Sequence, residues 1–178
     1  MGKKKTNRGD VAMAPAVMLE KPKSKRVRPK VKPAPQLTKL RGNQVAWRNV
    51  RLDSERKVFA LPETNTLEIE TEIDLQSATS VGLGIKSGNK DPQVVVNFNG
   101  LELQVLDAKA PLSPAKGERK LKLRIFIDRS VLEVFANETV CVTKTISPLR
   151  ASALLEIRAE GGNANTKRIQ AWPIKTIW

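Results

Sequence analysis

Four carboxylates recur at every second position in Glu68, Glu70, Glu72 and Asp74. On an extended strand such neighbours lie ~6.5 to 7 Å apart, inside the range that glycosidase acid/base pairs occupy, and a row of acids is also the raw material of a hard-cation site. The arrangement argues against both. Hydrolytic carboxylates approach a bond from different sides of a pocket, whereas these stand in line on one convex face. The row reads instead as a solvated sheet face lying opposite the basic stripe Lys120, Lys122, Arg124, each cross-strand pair contributing about 0.2 to 1 kcal/mol. Composition removes most other chemistry: the 178 residues include no His, no Tyr and one Cys. No Ser/His/Asp or Cys/His nucleophile, imidazole metal site, internal disulfide or CxxC pair can be built from them. No catalytic residue, metal ligand or cofactor site is assigned.

The elements that would carry these residues are strands. Leu67, Ile69, Thr71, Ile73 and Leu75 alternate with the acids over nine positions, and Val81, Leu83 and Ile85 repeat the two-residue period. Val94 to Phe98 is a β-branched run, Leu101, Leu103 and Val105 follow the Asn99-Gly100 turn signal, and Leu121, Leu123, Ile125 and Ile127 alternate again. Further strands are expected at 44–52, 131–136, 141–146, 154–159 and 169–174. No segment sustains a helical period. About ten short strands with Gly, Pro, Asn or Asp between them predict an all-β fold, a two-sheet antiparallel β-sandwich. Cys141, between Val140 and Val142, reads as a small buried hydrophobe. Asn137-Glu138-Thr139 has the form of a glycosylation sequon and is read as a chance match.

The net charge of +14 is unevenly spread. Residues 1–35 hold 11 Lys and Arg against Asp10 and Glu20, a net +9, together with five of the 11 prolines; residues 36–178 carry only +5. Like charges repel and proline removes backbone donors, so 1–35 is expected to be a disordered, basic, Pro-rich arm ahead of one domain at 36–178. Met1 to Thr6 fits a loose myristoylation pattern, and Val11 to Leu19 resembles a signal peptide's apolar segment but is interrupted by Pro15. The weakness of that segment favours a cytoplasmic location slightly. A polybasic arm would attract phosphate, yet no aromatic is interleaved for base stacking, so nucleic acid is disfavoured as a partner and a solvated tail preferred. No apolar run approaches the ~18 to 20 residues of a membrane-spanning helix.

The most specific stretch runs from Leu121 to Asn137. An alternating strand ends at Asp128-Arg129-Ser130, whose short polar side chains favour a turn, and a second strand of bulky residues returns. It is similar to the signature hairpin of the C-terminal β-sandwich domain of glycoside hydrolase family 32, the invertase, inulinase and levanase group. The pattern there is a hydrophobic strand, Asp-Arg-Ser, two residues, then Glu-Val-Phe, and Asp128, Arg129, Ser130, Glu133, Val134 and Phe135 all match it. Pro35 to Gly42 resembles the segment by which that family enters its sandwich, and Ala171 to Trp178 its closing strand. The resemblance thus spans about residues 35 to 178. Met13 to Leu19 also resembles the family's join between propeller and sandwich, with Ala16 where an arginine usually follows the proline.

In that family the catalytic carboxylates belong to an N-terminal propeller, in W-M-N-D-P-N-G, R-D-P and E-C-P motifs. Here Trp47-Arg48-Asn49-Val50 lacks the aspartate, Lys90-Asp91-Pro92 has lysine for arginine, and Cys141 follows Val140 without Glu-Cys-Pro. The resemblance therefore implies a non-catalytic module of a fructan or sucrose hydrolase, structural or carbohydrate-binding, inactive on its own. Its implied partners are a family 32 propeller, a second copy of itself, or a fructan- or sucrose-type carbohydrate. Trp47, Arg129 and Glu133 are the candidate binding residues, although Trp47, Phe98, Trp172 and Trp178 read more readily as core. Two other readings stay open: a basic-armed protein that binds nucleic acid or another polyanion, and a self-sufficient glycosidase using the stripe from Glu68 to Asp74.

Overall fold

The computed structural model describes residues 30–88, 91–113, 118–150 and 152–175. The first 29 residues of the expected arm, and Trp178, lie outside them. A 3₁₀ turn at Pro35–Leu40 leads into twelve strands: β1 (Val45–Leu52), β2 (Lys57–Ala60), β3 (Thr66–Asp74), β4 (Ser80–Ser87), β5 (Val94–Phe98), β6 (Glu102–Val105), β7 (Ala108–Pro111), β8 (Lys120–Asp128), β9 (Val131–Ala136), β10 (Val140–Thr145), β11 (Ala153–Glu160) and β12 (Ala164–Pro173). They form two six-stranded sheets in the orders β1-β12-β3-β8-β9-β10 and β2-β11-β4-β5-β6-β7. Every pairing between the strands is antiparallel. The expected sandwich is what the chain forms.

Period-two alternation decides which face of each strand turns inward. Leu67, Ile69 and Ile73 of β3 and Leu121, Leu123, Ile125 and Ile127 of β8 meet Val81, Leu83 and Ile85 of β4, Val94, Val96 and Phe98 of β5, and Leu155 and Ile157 of β11, all essentially inaccessible. Burying each such aliphatic side chain is worth about 1.5 to 3 kcal/mol, which is the driving force for closing the two sheets on each other. Thr71 is the polar exception in this layer. Its hydroxyl pairs with that of Thr166 at 3.0 Å and donates to the Arg168 carbonyl at 3.2 Å.

That carbonyl needs a partner because β12 is bulged. Against β3 the register passes from Thr166↔Ile73 to Ile169↔Thr71, so Lys167 and Arg168 together face the single residue Glu72. Against β1 the count is regular, Arg48↔Arg168 and Val50↔Thr166, which transmits the bulge to the neighbouring strand. There Trp47 and Val50 pack on the core while Arg48 and Asn49 both point outward, Asn49 with a left-handed φ of 52°. A bulge re-aims side chains in this way at the expense of ladder bonds.

Two expectations are corrected. Cys141 is exposed, because β10 is an edge strand whose alternation turns Val140 and Val142 toward the core and the cysteine away from it. The acidic stripe is not uniformly wet: Glu68 is completely buried, whereas Glu72 is exposed. The last residues of the expected arm are also in contact with the sandwich, Val31 N–H donating to the Glu138 carbonyl at 2.7 Å and Pro33 being buried.

Candidate functional site

The outer face of the first sheet carries a cleft of about 1090 Å³. Its floor is formed by β1, β12, β3, β8 and β9, and one wall is the strap of residues 31–38 with Glu138 beneath it. Lys30 and Lys32 pair with Glu138 at 3.6 and 3.0 Å, exposed contacts that contribute little on their own.

A charge network lies across β3 and β8. The expected pairing of acidic and basic stripes holds in register: Glu70↔Arg124, Glu72↔Lys122 and Asp74↔Lys120. Lys120 and Lys122 reach Glu72 at 3.8 and 3.6 Å. Glu68 is different. Arg41, from the segment just after the 3₁₀ turn, donates from Nε to Glu68 Oε2 at 2.8 Å and from Nη2 to Oε1 at 2.6 Å. Arg124 donates to the same Oε1 from Nη2 at 2.6 Å and Nε at 3.1 Å, and Arg41 Nη2 also reaches Glu70 at 2.9 Å. Arg41 is stacked on Trp172, its guanidinium carbon 3.7 Å from the ring centre. Burial alone would push the Glu68 carboxyl up; the hydrogen bonds and charges of the two guanidiniums outweigh it and hold the group below the usual carboxylate range. With both oxygens engaged by arginines and the side chain buried, Glu68 is held in its ionised form. The arrangement is a structural clamp.

Backbone pairing aims Arg41. Leu40 accepts from Lys175 N–H at 2.8 Å, Arg41 bridges Ile174, and Gly42 donates to the Pro173 carbonyl at 2.8 Å. A β-carbon at Gly42 would lie 2.9 Å from the Pro173 ring, so this approach requires glycine.

The signature hairpin is divided between two tasks. At its tip Arg129 has a left-handed φ of 53°, its N–H donates to the Asn65 carbonyl at 2.8 Å, and the Ser130 carbonyl accepts from Ile146 N–H at 2.8 Å. Asp128 closes the pair with Val131. The tip therefore fastens the start of β3 and the end of β10 to the hairpin. Val134 fills the core, while Glu133 and Phe135 alternate onto the outer face, Phe135 meeting Phe126 edge-on with ring centres 6.0 Å apart. Phe135 lines the cleft. Asn137 stitches the hairpin's far end, accepting from Lys122 N–H at 2.7 Å and donating to the Lys120 carbonyl at 3.1 Å.

The candidate binding residues are not brought together. Trp47 lies on the edge strand β1 and turns inward against Phe59, ring centres 4.9 Å apart, while Arg129 and Glu133 belong to the β8–β9 hairpin on the other side of the sheet. Phe98 is in the core, as read from the sequence, whereas Trp172 is buried beneath Arg41 on the outer face beside Glu68. Cys141 sits beside Glu133, and burial first, then that carboxylate, push its thiol up, which keeps it protonated at neutral pH. Sequence reasoning missed Arg41 and Trp172 as the covers of Glu68, and the outward pairs Arg48-Asn49 and Lys167-Arg168. No local signal marks the first two, whereas the break in alternation at 47–50 and 166–169 is visible in the sequence.

Comparison with known proteins agrees with this architecture. The profile described as "Glycosyl hydrolases family 32 C terminal" matches residues 36–173. A levanase from Bacillus subtilis is 30% identical over 167 residues, covering 82% of this chain but only 24% of the levanase, so the chain spans about a quarter of that relative's length. Among solved structures, fructan 1-exohydrolase IIa from Cichorium intybus superposes with a TM-score of 0.63 at 16% identity, over 82% of this chain and 38% of that one. Galectin LEC-6 from Caenorhabditis elegans shares the sandwich fold with a TM-score of 0.51 at 10% identity, over 71% of this chain and 94% of its own. No comparison supports the nucleic-acid alternative. The chain belongs to the C-terminal β-sandwich family of the glycoside hydrolase family 32 enzymes.

Proposed function

We propose that this chain is the non-catalytic accessory sandwich of a fructan- or sucrose-cleaving hydrolase and that its task is to support a catalytic propeller. The observation that carries this reading is the use made of the acidic stripe. Glu68 and Glu70 are held by Arg41 and Arg124 and Glu72 by Lys120 and Lys122, so the carboxylates best placed for hydrolysis are committed to ion pairs instead. A retaining glycosidase needs one free nucleophile and one protonated acid across a bond. The signature hairpin serves packing in the same way, its tip fastening β3 and β10.

Incubating the full chain with levan, inulin and sucrose should release no fructose, and adding a levanase propeller that lacks its own sandwich should give a complex by light scattering and raise the propeller's melting temperature. Fructose release by the chain alone, abolished by Glu70→Gln or Glu72→Gln, would overturn the reading in favour of a self-sufficient glycosidase. A strictly monomeric chain that leaves the propeller's melting unchanged would remove the supporting role.

A further inference from the structure

The bulge gathers unneutralised positive charge at one end of the cleft. Because both strands break alternation at the same level, Arg48 and Asn49 of β1 and Lys167 and Arg168 of β12 all project to the outer face and line the cavity. Arg48 is the direct register partner of Arg168, which places Asn49 opposite Lys167. Like charges directly opposite on a sheet are destabilising, and a left-handed backbone at Asn49 adds strain. The other cations that line the cleft are matched: Arg124 by Glu68 and Glu70, Lys120 and Lys122 by Glu72, and Lys32 by Glu138. Among the described residues, Arg48, Lys167 and Arg168 have no carboxylate within salt-bridge distance. Asp74, which also lines the cleft, accepts from Gln76 N–H at 3.1 Å.

We propose that Arg48, Lys167 and Arg168 form a binding subsite for a tetrahedral oxyanion, a phosphate or sulfate group, at the β1/β12 end of the cleft. Two arginines paired across adjacent strands and a lysine from the bulge place three positive charges at one end of the cleft, and a guanidinium can pair two donors with two oxygens of a dianion. The side-chain amides of Asn49, Asn165 and Gln170 line the same end and suit the hydroxyls of a sugar that carries such a group. The bound anion would remove the repulsion that the bulge builds in. This subsite is independent of the propeller-supporting role.

The test is a titration of the isotope-labelled full chain with inorganic phosphate, with a hexose 6-phosphate and with the unphosphorylated hexose, following backbone amide resonances. Both phosphates should shift the amides of 48–50 and 166–169, and the neutral hexose should not. Tighter binding of the hexose phosphate than of inorganic phosphate identifies a sugar-borne group, and equal binding a free anion. Arg48→Gln with Arg168→Gln should weaken phosphate binding by about tenfold or more, the loss of charge-assisted hydrogen bonds. Lys23→Gln with Arg26→Gln in the arm should leave those shifts intact. Glutamine at the two exposed arginines relieves repulsion, so the double variant should melt at or above the wild type and lose the stabilisation that phosphate confers. Shifts confined to residues 1–29, no shift at 48–50 and 166–169, or a double variant that keeps the full phosphate-induced rise in Tm would each overturn the proposal.

Discussion

The two outer faces of the sandwich pose the same electrostatic problem and answer it differently. On the first sheet Glu68 stands on β3, two strands in from an edge; on the second, Glu156 stands on β11, one strand in. Each carboxylate takes two basic partners. Glu156 meets Arg56 at 3.0 Å and Lys86 at 2.5 Å, but Arg56 keeps 53% of its side chain in water. Glu68 is sealed by two guanidinium forks and by Trp172 beneath Arg41. Alternation places both glutamates outside the core, yet both are buried, Glu68 at 0% and Glu156 at 6% exposure, because each is covered from elsewhere in the chain. A planar fork over an indole ring completes the cover of Glu68, whereas Glu156 relies on a half-exposed arginine and a lysine.

Removing the carboxylates should separate the faces most clearly. Glu68→Ala strips two arginines of the buried carboxylate they share, and breaking a buried pair typically costs about 3 to 5 kcal/mol; Glu156→Ala, also buried but paired with the half-exposed Arg56, should cost less, about 1 to 2 kcal/mol. Urea unfolding midpoints of the two variants check this, and equal losses would break the comparison. Arg41→Ala should follow at about 2 to 3 kcal/mol, with Arg41→Lys recovering only part because an ammonium cannot bond both Glu68 oxygens while stacking on Trp172. Gly42→Ala should cost about 1 to 2 kcal/mol by forcing the Pro173 ring away and tilting Arg41 off its target. Glu72→Gln, on the solvent-facing part of the same stripe, should change stability by about 0.5 kcal/mol or less.

Acid should sharpen the same contrast. The folded-state pKa of Glu68 lies below its unfolded value, so its contribution is complete above that unfolded value, about 4.3, and is lost as pH falls through the lower folded value. The stability gap between wild type and Glu68→Gln should stay constant from neutrality down to about pH 5 and close below about pH 4. Chemical denaturation at each pH measures it, and a gap that instead closes on raising the pH would contradict the clamp.

Strand existence was legible because hydrophobic alternation is a local signal: Val94–Phe98 and Val131–Ala136 match the structure at both ends. The two strands that escaped, Lys57–Ala60 and Ala108–Pro111, are four residues long and sit at opposite edges of the second sheet, with no fully buried residue to mark a period. The start of β12 escaped for another reason, since the bulge at Lys167-Arg168 interrupts the alternation that marks a strand. Cys141 was misplaced because flanking valines signal a strand but not which side of it is covered. Glu68 was placed on the correct face, yet its partners come from Arg41 and Trp172, 27 and 104 positions away, distances over which spacing rules carry no information. The hairpin motif identified the domain, but its residues turn out to be divided between fastening the sheet and lining the cleft rather than gathered at one point.

The pairing of β1 with β12 has a mechanical corollary. Val45 at the start of the sandwich lies beside Ala171 near its end, and the contact continues outward through Gly42 and Pro173. Tension applied at these two neighbouring points would pull the strands apart like a zipper, loading one rung of the ladder at a time instead of shearing the whole row together. A sandwich tethered in this way yields to small forces at its seam, where the Arg41–Glu68 clamp is the first side-chain contact to be loaded, while the hairpin β8–β9 carries none of the load.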